Sequence, residues 1–492
     1  MFFAITPITT VIFRYNNPDA LLTLLMIGIA YATLEAIRNV KMQWLILAGG
    51  LVGAGFLTKQ LQIALIVPAM GIAYIAFAHG SLVRRLMHLV LAAATAAVAG
   101  GWWFVVVQLT DPRVRPYVGG SMANNVAELT LGYNGLDRLS GQDSATSVTF
   151  GDWAPLDVMD TGLQRFLQPG FTGQFGWFLP LAVAGSIIAI AQLWRRSRPA
   201  GEAAFLAFSI IWLVVVLTVL AFMSGIVHPY YGLTAAPPMC SLAATCLKYF
   251  LRPTKLPWPS RGFFSLTLLA TALMAYVSAS RSTDDFPGLP QILLLLWALT
   301  ISFHALPLPH KHLRKISSSV LIIALTLGPT IWSLNTVLTG HIGAGVSAGP
   351  STLGIRADDP GRQRLSKNET PSFAALMLGD VPIQGVVDKI ASFPLGITWP
   401  AAIIGSESAA NYQLETGRPI MAVGGFNGTD QFPTLEQFKT LVSEKKIGAL
   451  VIQNLPPVPA EGRGESARIV AWVRAHYSPS MIEGAELYEL VN

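Results

Sequence analysis

The sequence predicts a polytopic α-helical membrane protein with a small α/β domain at its C-terminal end. Its 492 residues are 52% hydrophobic and only 12% charged, whereas a soluble protein of this length has about a quarter charged residues. Ten apolar stretches are long enough to cross a bilayer, and the composition changes sharply after the last of them. We therefore predict a transmembrane region over residues 1–335 and a separate domain over residues 336–492.

The ten predicted spans each hold about 16 to 22 predominantly apolar residues. They run over residues 19–37, 43–58, 62–78, 88–107, 176–194, 204–224, 231–249, 263–280, 290–306 and 316–335. The loops after the odd-numbered spans carry clustered basic residues, namely Arg38, Lys41, Arg84, Arg85, Arg195, Arg196, Arg198, Lys248, Arg252, Lys255, Arg261, Lys311, Arg314 and Lys315. Because short cytoplasmic loops are rich in Lys and Arg, we expect a multi-pass plasma-membrane protein whose opposite loops and C-terminal domain are extracytoplasmic.

The basic balance of the chain does not indicate nucleic-acid binding. The net charge is +6, but the basic residues lie in short clusters between apolar spans, as membrane topology requires. Cys240 and Cys246 share one apolar span and predict no disulfide framework. No His, Cys and Asp residues have zinc-site spacing, so no metal site and no cofactor is predicted, and dependence on a divalent metal is left open.

The N-terminal residues 1–13 are apolar without a preceding basic residue, so they lack the charged start of a signal peptide. They are also too short to span a membrane. We expect them to be the distal part of a membrane helix whose first half is absent from this chain.

The pattern of the C-terminal region predicts alternating strands and helices after a Gly-rich linker. Apolar runs at Gly396–Gly405, Pro419–Val423 and Ile447–Ile452 predict short buried strands. Thr434–Glu444 and Glu465–His476 predict helices. This alternation indicates a small α/β domain.

An acidic and a basic residue return to the same side of the predicted membrane. Asp19 opens the first predicted span, next to Arg14, Asn16 and Asn17, and Lys59 ends the second. Asp19 could simply stabilise a helix N-terminus, and Lys59 could extend its ammonium group to the membrane surface. Ionisable groups at this position favour function, so we predict Asp19 as catalytic and the other four as substrate-binding.

Further candidates lie in loops on the same predicted side. His228, Tyr230 and Tyr231 form a dense polar cluster between two spans, although tyrosine pairs also occur in aromatic belts. We predict His228 as catalytic and the two tyrosines as substrate-binding. The extracytoplasmic loop 108–175 supplies the remaining substrate-binding candidates, Tyr117, Glu128, Tyr133 and Asn134, with Arg113 and Arg115 as secondary phosphate ligands.

Taken together, these motifs resemble those of bacterial GT-C glycosyltransferases of the protein O-mannosyltransferase and aminoarabinose-transferase superfamily, in particular its actinobacterial-type mannosyltransferases. The motifs are Arg14-Tyr15-Asn16-Asn17-Pro18-Asp19, Phe56-Leu57-Thr58-Lys59, Arg115-Pro116-Tyr117-Val118-Gly119-Gly120-Ser121, Leu131-Gly132-Tyr133-Asn134-Gly135-Leu136 and His228-Pro229-Tyr230-Tyr231. Met421-Ala422-Val423-Gly424-Gly425-Phe426 resembles the C-terminal domain of that group.

The resemblance implies transfer of a sugar, such as mannose, from a polyprenyl-phosphate carrier to a protein, lipid or glycan acceptor outside the cytoplasm. It implies that Lys59 neutralises the carrier phosphate and that His228 and the tyrosines assist there. It also implies earlier spans and an external loop with an acidic base. Either this chain lacks that base and transfers little or no sugar alone, or its start codon is misassigned. Two alternatives stay open, a non-catalytic membrane scaffold and a lipid-linked sugar transporter or flippase.

Overall fold

A bundle of apolar helices and a five-stranded C-terminal sheet make up the protein in the computed structural model. The structure describes residues 1–140, 161–195, 198–224, 227–251, 258–281, 285–305, 311–341, 346–350, 379–426, 428–453 and 464–491. The bundle and the sheet confirm the predicted fold class of a helical membrane protein with a small α/β domain.

Fifteen helices are described in the bundle. They are α1 (Phe2–Ile5), α2 (Pro7–Ile12), α3 (Asp19–Asn39), α4 (Met42–Lys59), α5 (Val67–Phe77), α6 (Leu82–Leu109), α7 (Val126–Leu131), α8 (Asp137–Ser140), α9 (Pro169–Thr172), α10 (Leu179–Trp194), α11 (Ala200–Phe222), α12 (Ala236–Phe250), α13 (Trp258–Ser280), α14 (Leu289–Ala305) and α15 (Lys311–Leu338). Short 3-10 turns precede several of them, including Gln60–Ile66 before α5 and Pro229–Ala235 before α12.

Each of the ten predicted spans coincides with helical structure. Seven helices in the described part of the chain are long and apolar enough to cross a membrane, and Leu289–His304 is a shorter apolar helix. The seven are Asp19–Asn39, Met42–Phe77, Leu82–Leu109, Gly176–Trp194, Ala200–Phe222, Gly262–Ser280 and Lys311–Leu338. The number of crossings therefore stays a prediction.

Small residues bring α4 and α6 into close contact. A Cβ added to Gly49 would overlap the carbonyl of Ala92, and one added to Gly53 would lie 2.7 Å from the backbone nitrogen of Gly100. Both contacts advance in the same direction along the two helices, so α4 and α6 run parallel. The chain between them must therefore turn back, which places a helix break next to Lys59. Close backbone approach through small residues is a common way to pack membrane helices.

The C-terminal sheet has the order β2-β1-β3-β5-β4. Its strands are β1 (Trp399–Ile404), β2 (Ile420–Val423), β3 (Ile447–Ile452), β4 (Ser480–Ile482) and β5 (Ala485–Glu489), with helices α16 (Gln384–Ser392), α17 (Ser406–Thr416), α18 (Leu435–Ser443) and α19 (Glu465–His476). The first three strands pair in parallel, while β5 is antiparallel to both β3 and β4. Apolar residues pack on both faces of the sheet, as expected for a parallel sheet covered by helices.

The chain itself fills the crevice beyond the carboxyl ends of β1 and β3, where ligands bind in many parallel sheets. Ser408 donates to the carboxylate of Asp380 at 3.0 Å, and Tyr412 donates to the side-chain carbonyl of Gln453 at 2.6 Å. The Gln453 amide in turn donates to the Val381 carbonyl at 3.1 Å. The segment around Asp380 therefore occupies the space that a ligand would need.

We expect Gly53→Ala to lower the melting temperature of the detergent-solubilised protein. The new methyl group would overlap α6, and overpacking of this kind costs about 1–3 kcal/mol. Gly50→Ala on the same helix is the matched control, because its Cβ would lie 3.9 Å from the side chain of Thr95. Equal melting temperatures for the two variants would contradict the close α4–α6 contact.

Candidate active site

Asp19 and Lys59 form an ion pair at one end of the bundle, where α3 begins and α4 ends. The Lys59 ammonium donates to the Asp19 carboxylate. The Asp19 side chain is fully buried, whereas that of Lys59 is 20% exposed. The structure therefore places both residues at the same end of the bundle, as the sequence predicted.

The local backbone fixes both members of the pair. Asn17 accepts from the backbone N–H of Asp19 at 2.8 Å, which stabilises the start of α3. At the end of α4, Gln60 has a φ of 44°, an unusual conformation for a residue with a side chain. This break turns the chain into the following 3-10 segment, from which the Gln62 amide donates to the second Asp19 oxygen at 3.4 Å.

An aromatic cluster surrounds the ammonium group. The Lys59 nitrogen lies 5.1 Å from the ring centre of Tyr230 and 4.9 Å from that of Tyr231, within the range of cation–π attraction. His228 stacks on Tyr230 at 5.0 Å and meets Tyr231 edge to face at 5.4 Å. The structure thus brings His228 and both tyrosines to the Lys59 end of α4, as the sequence predicted.

Lys59 opens into a cavity of about 830 Å³. This volume lies within the range of about 300–1,000 Å³ for ligand sites. Its walls come from the ends of α4, α6 and α11 and are mostly apolar, with Phe56, Trp103 and Val219 among them. Tyr231 also lines the cavity, whereas neither Asp19 nor His228 is among its lining residues. A ligand in the cavity would therefore meet the lysine before the aspartate.

The segment after α6 forms one wall of this cavity and is called the roof segment (residues 111–140) here. Val126, Thr130, Asn134 and Leu139 all line the cavity. Asn134 is the predicted substrate-binding residue of this loop that the structure places there. Of the other loop candidates, the side chain of Tyr133 lies outside the described residues.

Several predicted substrate-binding side chains are instead used within the protein. The two Glu128 oxygens accept from the backbone N–H groups of Met122 and Ala123 at 2.8 and 3.0 Å, and Arg14 donates to the Thr336 carbonyl at 3.1 Å. Asn16 is exposed.

Tyr117, another predicted substrate-binding residue, donates to the Ser121 carbonyl and accepts from the Gln431 N–H at 3.1 Å. Burial raises the pKa of Tyr117 above its ordinary value, and the hydrogen bond from Gln431 opposes that shift.

Sequence reasoning missed several residues at the site. Gln60 and Gln62 are polar residues in an apolar run, a signal that the sequence did contain. Trp103 was not among the candidates, yet it lines the cavity. Arg165 is only 1% exposed and donates to the carbonyls of Leu220 and Met223 at 2.6 and 2.8 Å, so it fixes a cavity wall at the end of α11. No local pattern marks that contact. Among the described residues, no group of three or more His, Cys, Asp or Glu could hold a metal ion.

Two family models match this chain. The model described as "Dolichyl-phosphate-mannose-protein mannosyltransferase" matches residues 1–104, which include Asp19 and Lys59. The model described as "Putative mannosyltransferase YkcB-like, C-terminal" matches residues 394–476 in the C-terminal sheet domain.

Similar proteins cover nearly the whole chain. "Putative mannosyltransferase YycA" of Bacillus subtilis (strain 168) is 24% identical and covers 96% of this chain and 76% of that protein. "Putative mannosyltransferase YkcB" of the same organism is 25% identical, over 96% of this chain and 75% of that protein. Among solved structures, ArnT from Cupriavidus metallidurans bound to undecaprenyl phosphate matches with a TM-score of 0.50 at 15% identity, over 100% of this chain and 77% of that one.

The structural match shows the fold, and the sequence matches point to the same group of proteins. They confirm the resemblance to GT-C glycosyltransferases that the sequence showed.

We expect the Asp19–Lys59 pair to show strong energetic coupling. Removing one partner of a buried pair leaves the other charge uncompensated, so Asp19→Asn and Lys59→Gln should each lower the melting temperature. The double variant should lose less than the sum of the single losses, with a coupling energy of about 0.5–3 kcal/mol.

Thermal unfolding in detergent measures this coupling. The surface pair of Lys439 and Glu436, whose carboxylate side chain is 78% exposed, is the control and should show a coupling energy of about 0–1 kcal/mol. Additive losses for Asp19→Asn and Lys59→Gln would contradict the pairing.

Proposed function

We propose that this protein transfers a hexosyl group, mannose or a related sugar, from a polyprenyl-phosphate carrier to a hydroxyl of a protein, lipid or glycan acceptor outside the cytoplasm. The observation that carries the proposal is the position of Lys59, a cation at the edge of a large apolar cavity within a helix bundle. The mannosyltransferase names of the relatives and the undecaprenyl phosphate bound to ArnT support the same chemistry.

The cavity suits an amphiphilic donor. A polyprenyl chain is apolar, and the walls formed by Phe56, Trp103 and Val219 would receive its first isoprene units. Its phosphate would lie at Lys59, the polar end of the cavity. An apolar pocket with a few convergent polar groups is the usual form of a small-molecule site.

Lys59 would act on charge that develops during transfer. The bond between the anomeric carbon and the phosphate oxygen breaks, a bond to the acceptor oxygen forms, and the carrier phosphate departs with the electron pair while the acceptor proton passes to a general base. A cation placed at the departing phosphate stabilises this transition state, an effect worth about 10²–10³ in rate when one such donor is removed.

Asp19 would hold Lys59 rather than touch the substrate, since its side chain is fully buried beneath the lysine. His228 would support the rings of Tyr230 and Tyr231 through stacking, and Tyr231 would contact the donor directly. This assignment revises the catalytic role that the sequence suggested for Asp19 and His228, and makes both of them positioning residues.

Polar side chains near Lys59 would bind the sugar hydroxyls. Asn134 lines the cavity from the roof segment, and Thr130 and Gln60 lie beside it. In the described part of the chain, the Thr130 hydroxyl and the Gln60 side-chain oxygen have no hydrogen-bond partner. Buried polar atoms normally find one, so a sugar is a suitable source of partners.

We expect Lys59→Ala to reduce sugar transfer from a polyprenyl-phosphate donor by about 10²–10³-fold. Lys59→Gln should be similarly defective, because it keeps most of the stem but loses the charge. The measurement is transfer of radiolabelled sugar to an added cell-envelope extract, the source of acceptor, in proteoliposomes that contain the protein and the donor.

Arg38→Ala is the control, because Arg38 is a cation at the far end of α3 with a 70% exposed side chain and should leave transfer unchanged. Arg281 is unsuitable as a control because it donates to Thr172 and to the Leu167 carbonyl. Provided that the unchanged chain transfers sugar in this assay, equal transfer by Lys59→Ala and Arg38→Ala would remove Lys59 from the site.

The proposal also requires the C-terminal domain to lie outside the cytoplasm. A cysteine introduced at Leu414, which is 82% exposed, should react with a membrane-impermeant maleimide in intact cells. A cysteine at His79, in the basic loop before α6, should react only after the cells are permeabilised. The reverse pattern would overturn the orientation.

A further inference from the structure

The C-terminal domain contacts the roof segment through three consecutive residues. The Gly120 N–H donates to both oxygens of Asp430 at 3.1 and 3.2 Å, and the Gln431 N–H donates to the Tyr117 hydroxyl at 3.1 Å. The ring of Phe432 stacks on that of Tyr117, with centres 5.6 Å apart and planes 19° from parallel. These contacts are called the clasp (Tyr117, Gly120 and residues 430–432) here.

The domain presents its half of the clasp on a closed loop. Gly424 donates to the Phe432 carbonyl at 2.9 Å and accepts from the Asp430 N–H at 3.0 Å. Gly425 has a φ of 65°, and a Cβ there would overlap the Asp430 carboxylate. Only glycine therefore allows the loop to fold back and point Asp430 outward.

Hydrogen bonds connect the clasp to the cavity. Ser121, the acceptor of the Tyr117 hydroxyl, accepts through its own hydroxyl from the Asn125 N–H at 3.1 Å. Asn125 caps α7 by accepting from the Ala127 N–H at 2.8 Å, and α7 carries Val126 and Thr130 in the cavity wall.

A second set of hydrogen bonds holds the roof segment near its N-terminal end. Arg115 donates to the Val107 carbonyl at 3.0 Å and also to the Asn124 carbonyl. This arginine, a secondary phosphate candidate in the sequence, thus ties the roof segment to the end of α6. Displacement of the clasp would also displace α7, because hydrogen bonds connect the residues of the clasp to the start of that helix.

Among the described residues of the domain, the segment around Asp380 fills the crevice beyond β1 and β3, where ligands bind in many parallel sheets. The domain's described hydrogen bonds to the roof segment run through the clasp, and Glu407 also lies close enough to Tyr15 to interact with it electrostatically. Burial raises the pKa of Asp430 above its ordinary value, and the hydrogen bond from Gly120 opposes this shift.

We propose that the C-terminal domain positions the roof of the donor cavity through the clasp, and that Tyr117, Asp430 and Phe432 are positioning residues for the transfer reaction. The proposal rests on the proposed function for its catalytic consequence, but its structural part does not. With the clasp closed, α7 holds Thr130 and its neighbours against the Lys59 end of the cavity. With the clasp broken, the roof should open, and donor binding should weaken.

A labelling experiment tests the structural part without any activity. A cysteine at Thr130, which is 4% exposed, reports on roof opening, and the native Cys240 and Cys246 are buried. We expect the double change Asp430→Asn and Phe432→Ala to raise the rate of maleimide modification of this cysteine at least tenfold in the purified protein.

Glu436→Gln is the matched control, an acid-to-amide change on an exposed residue of α18 outside the clasp. It should change the modification rate less than twofold. An unchanged rate in the clasp variant, with the melting temperature of the protein also unchanged, would overturn the proposal. A similar rise in the control variant would do the same, because the effect would not then depend on the clasp.

A kinetic experiment tests the catalytic part in an otherwise native chain. Breaking the clasp should raise the donor KM at least fivefold with a smaller change in kcat, and Tyr117→Phe, which keeps the ring but loses the hydroxyl, should have a smaller effect. A loss confined to kcat would overturn the positioning role.

A pair of cysteines tests whether the clasp only holds the roof segment in place or must also open during sugar transfer. A Cβ at Gly119 would lie 3.4 Å from an Asp430 oxygen, so a short bifunctional maleimide should join cysteines placed at these two positions. The crosslinked form should keep a donor KM close to that of the native chain, and loss of transfer on crosslinking would overturn a purely bracing role for the clasp. If Lys59→Ala left transfer intact while the labelling result held, the proposed donor site would fail and the clasp would stand.

Discussion

The ion pair between Lys59 and Asp19 is the interaction on which the rest of the site depends. An ammonium group beside apolar helices is expensive to hold unless it is paired. Asp19 supplies the opposite charge from the start of another helix, and two tyrosine rings supply further attraction. Because Asp19 is buried and Lys59 is not, the pair keeps one charge fixed and the other accessible from the cavity.

This arrangement constrains the surrounding helices. Lys59 reaches Asp19 only because α4 ends there, and the unusual backbone of Gln60 makes the chain reverse at that point. The glycines of α4 then allow α6 to approach closely, which brings Trp103 alongside the same helix end. Packing far from the charge therefore determines the shape of the cavity that surrounds it.

Much of the fold could be predicted from the sequence because its signals are local. Apolar length predicted helices at all ten candidate spans, and the strand at Ile447–Ile452 and the helix at Glu465–His476 have the predicted bounds. The strands β4 and β5 were not predicted, since β4 has only three residues and β5 mixes charged with apolar residues rather than forming an apolar run. The proximity of Asp19 and Lys59 was also predictable, because helices that cross the same membrane begin and end at its two surfaces.

The roles of individual polar residues were less predictable, because a role depends on which partner arrives from elsewhere in the chain. Glu128 and Tyr117 have the chemistry of substrate ligands, yet backbone groups already engage both. The partner of Tyr117 lies more than 300 residues away, and no periodicity or spacing encodes such a contact. The same reasoning explains why the sequence did not predict a contact between the C-terminal domain and the cavity wall. Its sheet is a common fold, and its link to the cavity lies in one loop, whose glycines and Asp430 gain meaning only when Gly120 lies against them.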